Sequence, residues 1–482
     1  MTEIEALAAP FRIPSAEDWR RLVEAALDGA SLESLSSETR EGLAVAPLYP
    51  QPRDARPLFA RPSDGAWGIV QRLDHPDPAE ANAQARRELE RGATGLALVH
   101  EDAAAADGFG LPPGSESLRR LLDGLPLDRV ILRVEPHPHG PTTALHLAKL
   151  IEARQLERPA LQFAFGLDPI GVAAAQGGFA GDWPEIAADH VDIAEQLAEF
   201  GFNGPVFEAD GRIYAAAGAD AVHELAAILA AAAAYLRLVD AYGAPPELQF
   251  KLIGVTLAVD ADQLVSIAKL RAARLLWARM QEVCGAPRTR LRLHAETARL
   301  MMMRADPHTN LLRTTIAAFA AGVGGADSLT VLPFNIALGL PDAFARRLAR
   351  NTQLLLIEES HLHRIADPAA GSGAVEAMTE ELGRRAWAAF REIEREGGIV
   401  ESLKAGRLQA RLAAQREALV ARLGVTGLVG LTHYIDGKPM PVKVAQLPPR
   451  GRDGRRQPAV PFEPLAPLDL ETRVSRVPES AP

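Results

Sequence analysis

The sequence predicts an α/β fold, a (β/α)8 TIM barrel with a helical arm before it and an extended Pro-rich tail after it. Three observations carry this. Short apolar runs alternate with helical stretches from Trp67 to about Gly398. Most runs are apolar on both faces, as strands of a helix-covered parallel sheet must be. Eight such runs with seven helical segments between them suit a closed barrel better than an open doubly wound sheet or two separate sheets. The expected divisions are an arm at 1–62, the barrel at 63–400, and a C-terminal helix with a Pro/Arg-rich tail at 401–482.

In the arm, Ser15 to Asp18 offers a capping pattern, and Trp19, Val23, Ala26 and Leu27 follow at helical spacing. Trp19, Val23 and Leu27 form one apolar stripe that a lone barrel leaves exposed, which makes them partner-interface candidates. Packing back onto the chain's own barrel is the alternative. A Pro-rich extended piece, Pro47 to Pro62, leads away from the arm. The strands are then expected at Gly68 to Gln71, Gly95 to Val99, Arg129 to Val134, Ala160 to Phe165, Val206 to Ala209, Lys251 to Thr256, Arg290 to His294 and Ser328 to Leu332. Between them, Asp260 to Cys284 illustrates the helices: Val265, Ala268, Ala272, Leu276, Met280 and Val283 recur every three or four residues. Beyond Leu447 large apolar residues are few, and the composition predicts a tail that wraps a partner or stays disordered.

Composition narrows the function. A net charge of -10 and a pI near 5.7 over 482 residues leave no basic footprint for nucleic acid or an anionic membrane surface. Cys284 is the only cysteine, so neither a disulfide framework nor a Cys-based zinc site can form within the chain. Met1 to Arg12 contains acidic residues and no signal pattern, which favours a cytoplasmic location. The most apolar stretch, Leu225 to Leu236, is short, mostly Ala, and closed by Arg237 and Asp240; it reads as a packed helix.

Barrel chemistry sits in the loops after the strands. The residues expected there are His100, Glu101, Asp102, Glu135, His137, His139, Asp168, Glu208, Asp210 and His294. Imidazoles and carboxylates converging at a rim could hold zinc or manganese, with Glu135, His137 and His139 as the best fragment. Those histidines lie among Pro136, Pro138 and Pro141, so a solvated polar loop is the preferred reading and no metal is assigned. His361 and His363, in a helical stretch after Glu358, point to different faces and read as structural. Gly322, Gly324 and Gly325 fit a helix end leading into a strand, not a phosphate loop.

An ordered string of motifs runs from Asp306-Pro307 through Asn310 to Thr314, Gly324 to Leu329, Ala349 to Gln353, Glu358-Glu359 and Asp367 to Ser372, preceded by Lys269 to Arg274. With these, the chain from Trp19 to about Ile399 resembles the adenosylcobalamin-dependent methylmalonyl-CoA mutases. The resemblance implies a barrel threaded by coenzyme A, with cobalamin held at one rim by a separate C-terminal domain. That domain's Asp-x-His-x-x-Gly signature is expected to be missing, because the only Asp-x-His, Asp306 to His308, falls inside the barrel string. Positions matching the family's reactive residues also differ. Its Tyr-His pair is matched by Arg212-Ile213 before Ala217 to Ala219, and its Gln-Tyr by Gln71-Arg72. The Arg-x-Ser that holds the acyl group is matched by Leu252 to Gly254, and Ser-Leu-His by Ser328 to Thr330. His294 and Glu296 are counted with these altered positions, all expected at one rim.

Such differences resemble the second, small or β chain of heterodimeric bacterial mutases. Leu167 to Ile170, Ile213-Tyr214, Thr330 to Phe334 and Ala337 to Pro341 match it as well. The resemblance implies no catalytic residue here, a catalytic large subunit as partner, and adenosylcobalamin bound by that partner. Two alternatives stand beside it: an active acyl-CoA mutase chain that borrows cobalamin from a separate subunit, and a repurposed metal-dependent barrel.

Overall fold

The computed structural model describes residues 15–52, 54–59, 65–157, 161–202, 204–435, 440–449 and 457–474. The expectations for Met1 to Arg12, for Ala160 and for parts of the tail lie outside these residues. Eight parallel strands stand at the centre: β1 Gly68–Leu73, β2 Gly95–Leu98, β3 Ile131–Val134, β4 Gln162–Ala164, β5 Phe207–Asp210, β6 Ile253–Val259, β7 Leu293–Thr297 and β8 Ser328–Thr330. Ladders run β4-β3-β2-β1-β8-β7-β6-β5. Bonds from Phe165 N to Pro205 O at 3.1 Å, Leu167 N to Val206 O at 3.0 Å and Glu208 N to Leu167 O at 3.0 Å join the two ends. The sheet therefore has no free edge, the condition that makes a barrel.

Helices α1 Pro78–Glu90, α2 Ser115–Leu122, α3 Gly140–Ala153, α4 Trp183–Glu199, α5 Ala221–Ala241, α6 Gln263–Val283, α7 Thr309–Gly324 and α8 Ala343–Leu354 follow the strands in turn. Asp77, Asp220, Asp262 and Asp342 cap α1, α5, α6 and α8 with side-chain bonds to their first turns. A longer helix, α9 Gly373–Arg395, packs across α5 and α6. Helix α5 is long and apolar enough to cross a membrane, yet 72% of its apolar window is buried in the core. Ala-rich packing against the barrel explains that composition.

All eight strands form near their expected places, with ends displaced by up to three residues, most in the sixth and seventh; the third starts at Ile131 and the eighth ends at Thr330. The sixth starts at Ile253, not Lys251, because Pro246–Gln249 forms a helical turn whose bonds reach Leu252. The seventh runs Leu293–Thr297 in place of Arg290 to His294, its start fixed by Leu293 N donating to the Asp327 carboxylate at 2.9 Å. Of the two histidines expected in a helical stretch, only His363 is helical: α8 ends in a π turn at Leu355–Glu359, His361 takes a left-handed φ of 54°, and His363 lies in the short 3-10 turn Leu362–Arg364 that follows. The arm helix, Ala16–Ala26, opens with the expected capping box between Ser15 and Asp18, and none of its residues is buried. Beyond the barrel, α10 Ile399–Lys404 and α11 Arg407–Thr426 precede a tail whose described part, 457–474, folds back onto the chain's own barrel. Partner wrapping and disorder do not apply to that part.

Candidate functional site

At the C-terminal mouth of the barrel, charged side chains close on one another. Arg212, the first residue of a short helix after β5, pairs with Glu135, with Asp210 at 2.7 Å and with Glu296 at 3.1 Å. Glu296 lies 3.5 Å from Arg72, which itself reaches Asp74 at 3.5 Å and donates to Ala105 O at 2.6 Å. Asp74 in turn holds Arg346 of α8 at 2.6 Å. Burial pulls the Arg212 guanidinium down, but Asp210, Glu135 and Glu296 outweigh it and hold its pKa well above the ordinary arginine value. Glu135 shows the reverse balance: burial raises it, and Arg212 and Arg133 bring it below the usual glutamate value.

One layer deeper, Arg133 of β3 spans the interior to Glu208 of β5 at 3.2 Å and to the Thr256 hydroxyl of β6 at 2.8 Å, and Thr256 donates to Glu208 at 2.5 Å. Gly254 leaves room for this, since a Cβ there would meet Glu208 Oε2 at 2.8 Å. His294 lies in the same interior, with Nδ1 2.8 Å from the Ser328 hydroxyl and Nε2 3.2 Å from that of Thr330. Burial, then Arg133 and Arg212, press its pKa well below the usual histidine value, so the ring is neutral.

The expected single rim is therefore corrected. Arg72, Arg212 and Glu296 meet, and Ile213 is buried beside them. His294 and Thr330 pair with each other inside the barrel, Gly254 abuts Glu208, and Leu252 lies ahead of β6 at the opposite end. Leu252 and His294 are displaced by the strand shifts described above. Arg133, Asp74 and Arg346 were not anticipated. The available signal for Arg133 was a single charge inside the apolar run Ile131 to Val134.

The histidines after β2 and β3 do not converge on a metal. His137 uses both nitrogens, with the Glu135 carbonyl at 2.9 Å and the Thr143 hydroxyl at 2.9 Å. Its ring stacks on His100 at 4.2 Å, and burial, joined for His100 by the neighbouring His137, lowers both pKa values. Exposed His139 faces Asp102 at 3.4 Å. Among the described residues no group of three or more His, Cys, Asp or Glu could hold a metal ion. Asp168 caps the short helix Pro169–Gln176 through Gly171 N at 2.8 Å and accepts a bond from the Tyr235 hydroxyl; burial, aided by Asp210, pushes it up to about 7.

Residues 113–458 match the family model for methylmalonyl-CoA mutase. The chain belongs to the methylmalonyl-CoA mutase family. Its relatives include the methylmalonyl-CoA mutase small subunit of Streptomyces virginiae, 42% identical over 85% of this chain and 68% of that protein. The small subunit of Propionibacterium freudenreichii subsp. shermanii is 32% identical over 98% of this chain and 77% of its own length. A methylmalonyl-CoA mutase of Escherichia coli (strain K12) is 27% identical over 87% of this chain and 64% of its own. Similarity is thus greater to the small subunits, and within the family the chain is of the small-subunit type. It spans 66% of the length of the probable small subunit from Mycobacterium bovis, so roughly a third of such relatives has no counterpart in the alignment.

Family membership brings adenosylcobalamin into question, and the mouth does not fit it. Leu465, Pro467, Leu468 and Leu470 of the tail roof the cavity of about 240 Å³ whose floor is Arg72, Glu135, Arg212 and Glu296. A macrocycle laid on that mouth would occupy the space those leucines fill. His308, of the only Asp-x-His, lies at the start of α7 with its ring 5.5 Å from that of Phe334.

Proposed function

We propose that this chain is the non-catalytic structural subunit of a heterodimeric, adenosylcobalamin-dependent methylmalonyl-CoA mutase. The assembled enzyme would isomerise methylmalonyl-CoA to succinyl-CoA, with the radical chemistry and the cofactor on a catalytic large subunit and both chains cytoplasmic. One observation carries the reading: Arg72 and Arg212, where the family's catalytic chains carry tyrosines, are spent on Glu135, Asp210 and Glu296. A guanidinium locked among carboxylates neither donates a proton to a thioester oxygen nor leaves an anion site open. Arg133 bridged to Glu208 likewise fills the interior through which a coenzyme A arm would pass.

Turnover is the test. The purified chain with adenosylcobalamin and methylmalonyl-CoA is expected to form no succinyl-CoA, whereas co-expression with a catalytic chain yields an active complex of summed mass. Succinyl-CoA from the isolated chain would refute the proposal. Of the two other readings, a metal-dependent barrel has no support from the bonding of His137, and a chain borrowing cobalamin would need its mouth uncovered.

A further inference from the structure

The tail is the part of the molecule that neither composition nor family resemblance explains. Val460 and Pro461 pair antiparallel with Phe179 and Gly178. Farther along, Leu465 N donates to Ala174 O at 2.8 Å and Leu468 N to Ala216 O at 2.8 Å. Glu471 Oε1 accepts from the backbone of Arg304 at 2.6 Å and Ala305 at 2.7 Å, while Asp469 pairs with the Arg304 guanidinium at 2.8 Å. These anchors sit on the loops after β4, β5 and β7, so the segment crosses the mouth from one side to the other. Two side chains of α11 secure it from behind: Gln409 donates to Glu463 O and Arg416 to Ala466 O, each at 3.0 Å. Leu465 and Leu470 are 2% and 6% exposed.

We propose that residues 457–474 are an intramolecular lid that closes the barrel mouth to any flat macrocycle or second domain. Three kinds of anchor, a strand pair, buried leucines and a carboxylate clamp on adjacent amides, act together, and each is made within the chain. The lid is thus a standing part of the fold, and a partner subunit docks elsewhere. Adenosylcobalamin as the excluded ligand rests on the function proposed above; the lid itself rests on these contacts alone.

Amide exchange on the full chain tests it. Leu465 and Leu468 are expected to exchange at least about tenfold more slowly than the same residues in an unstructured peptide. In Leu468→Asp/Glu471→Gln that protection is lost, an anilinonaphthalene sulfonate dye fluoresces on the uncovered mouth, and the barrel's melting midpoint moves only slightly. Should the double variant unfold, Glu471→Gln alone supplies the exchange comparison. Equilibrium dialysis of the wild type is expected to retain no adenosylcobalamin. Peptide-like exchange in the wild type, unchanged exchange in the variants, or stoichiometric cobalamin retention would overturn the lid. Loss of the lid leaves the non-catalytic reading standing, and turnover by a chain with a protected tail does the opposite.

Discussion

Arg212 concentrates charge at one point of the mouth, paired with Glu135, Asp210 and Glu296. Arg212→Ala removes the partner of Asp210 and leaves Glu135 and Glu296 to Arg133 and Arg72 alone, in a site where its own side chain is only 10% exposed, and is expected to cost roughly 3–5 kcal/mol by denaturant titration. His294 gives a pH prediction. Its folded pKa is depressed, so it stays neutral while the unfolded chain takes up a proton near pH 6.5; stability is lost as pH falls through that value. Asp168, raised to about 7, works in the opposite sense, since the folded state takes up its proton first. His100 and His137 side with His294, and thermal melting is expected to fall between pH 7 and 5.5. In His294→Gln the slope should shrink by up to about 1.4 kcal/mol per pH unit; an unchanged slope would contradict the assignment. The family-bearing motifs prove to be structural at this scale. Asn310 bonds Met303 O at 2.8 Å and Phe334 O at 2.9 Å, Arg271 pairs with Asp367 and with Glu376 at 2.7 Å, and Arg350 pairs with Glu88. They hold helices to loops and to one another, a role that does not depend on an open mouth.

Among the elements, the turn from α7 into β8 shows how little freedom the barrel allows. Gly325 has φ of 90°, and a Cβ there would meet the Phe59 ring at 2.4 Å. Gly325→Ala therefore combines left-handed backbone strain with a steric clash and is expected to destabilise by about 1–3 kcal/mol in chemical denaturation. The strands were readable because each is a short run, nearly all of it buried on both faces. Their ends were less so, and the sixth and seventh moved by two or three residues. Backbone bonds made by a preceding turn and by Asp327 set those ends, and neither is a periodic signal. That small error decided where His294 and Leu252 were expected, since a residue's height in a barrel follows directly from its position along the strand.

For the whole molecule, we propose the arm as a contact surface for the partner. Trp19, Val23 and Leu27 are half-buried, and the arm helix buries nothing. Trp19→Asp is expected to weaken assembly with a catalytic chain by at least about tenfold in analytical ultracentrifugation, with the melting midpoint of the isolated chain unchanged. A loss of stability without loss of assembly would assign the stripe to intramolecular packing. The sequence by itself determined the barrel, its eight strands and the family, because those rest on local periodicity and on motifs contiguous in the chain. Only the tertiary structure decided what the mouth contains. Arg72, Glu135, Arg212 and Glu296 come from four different strands or their loops, and their mutual neutralisation depends on distances that no spacing records. The lid belongs to the same class: a Pro-rich segment has no period of its own, and its order comes from the leucine-sized space and the backbone donors the barrel offers it.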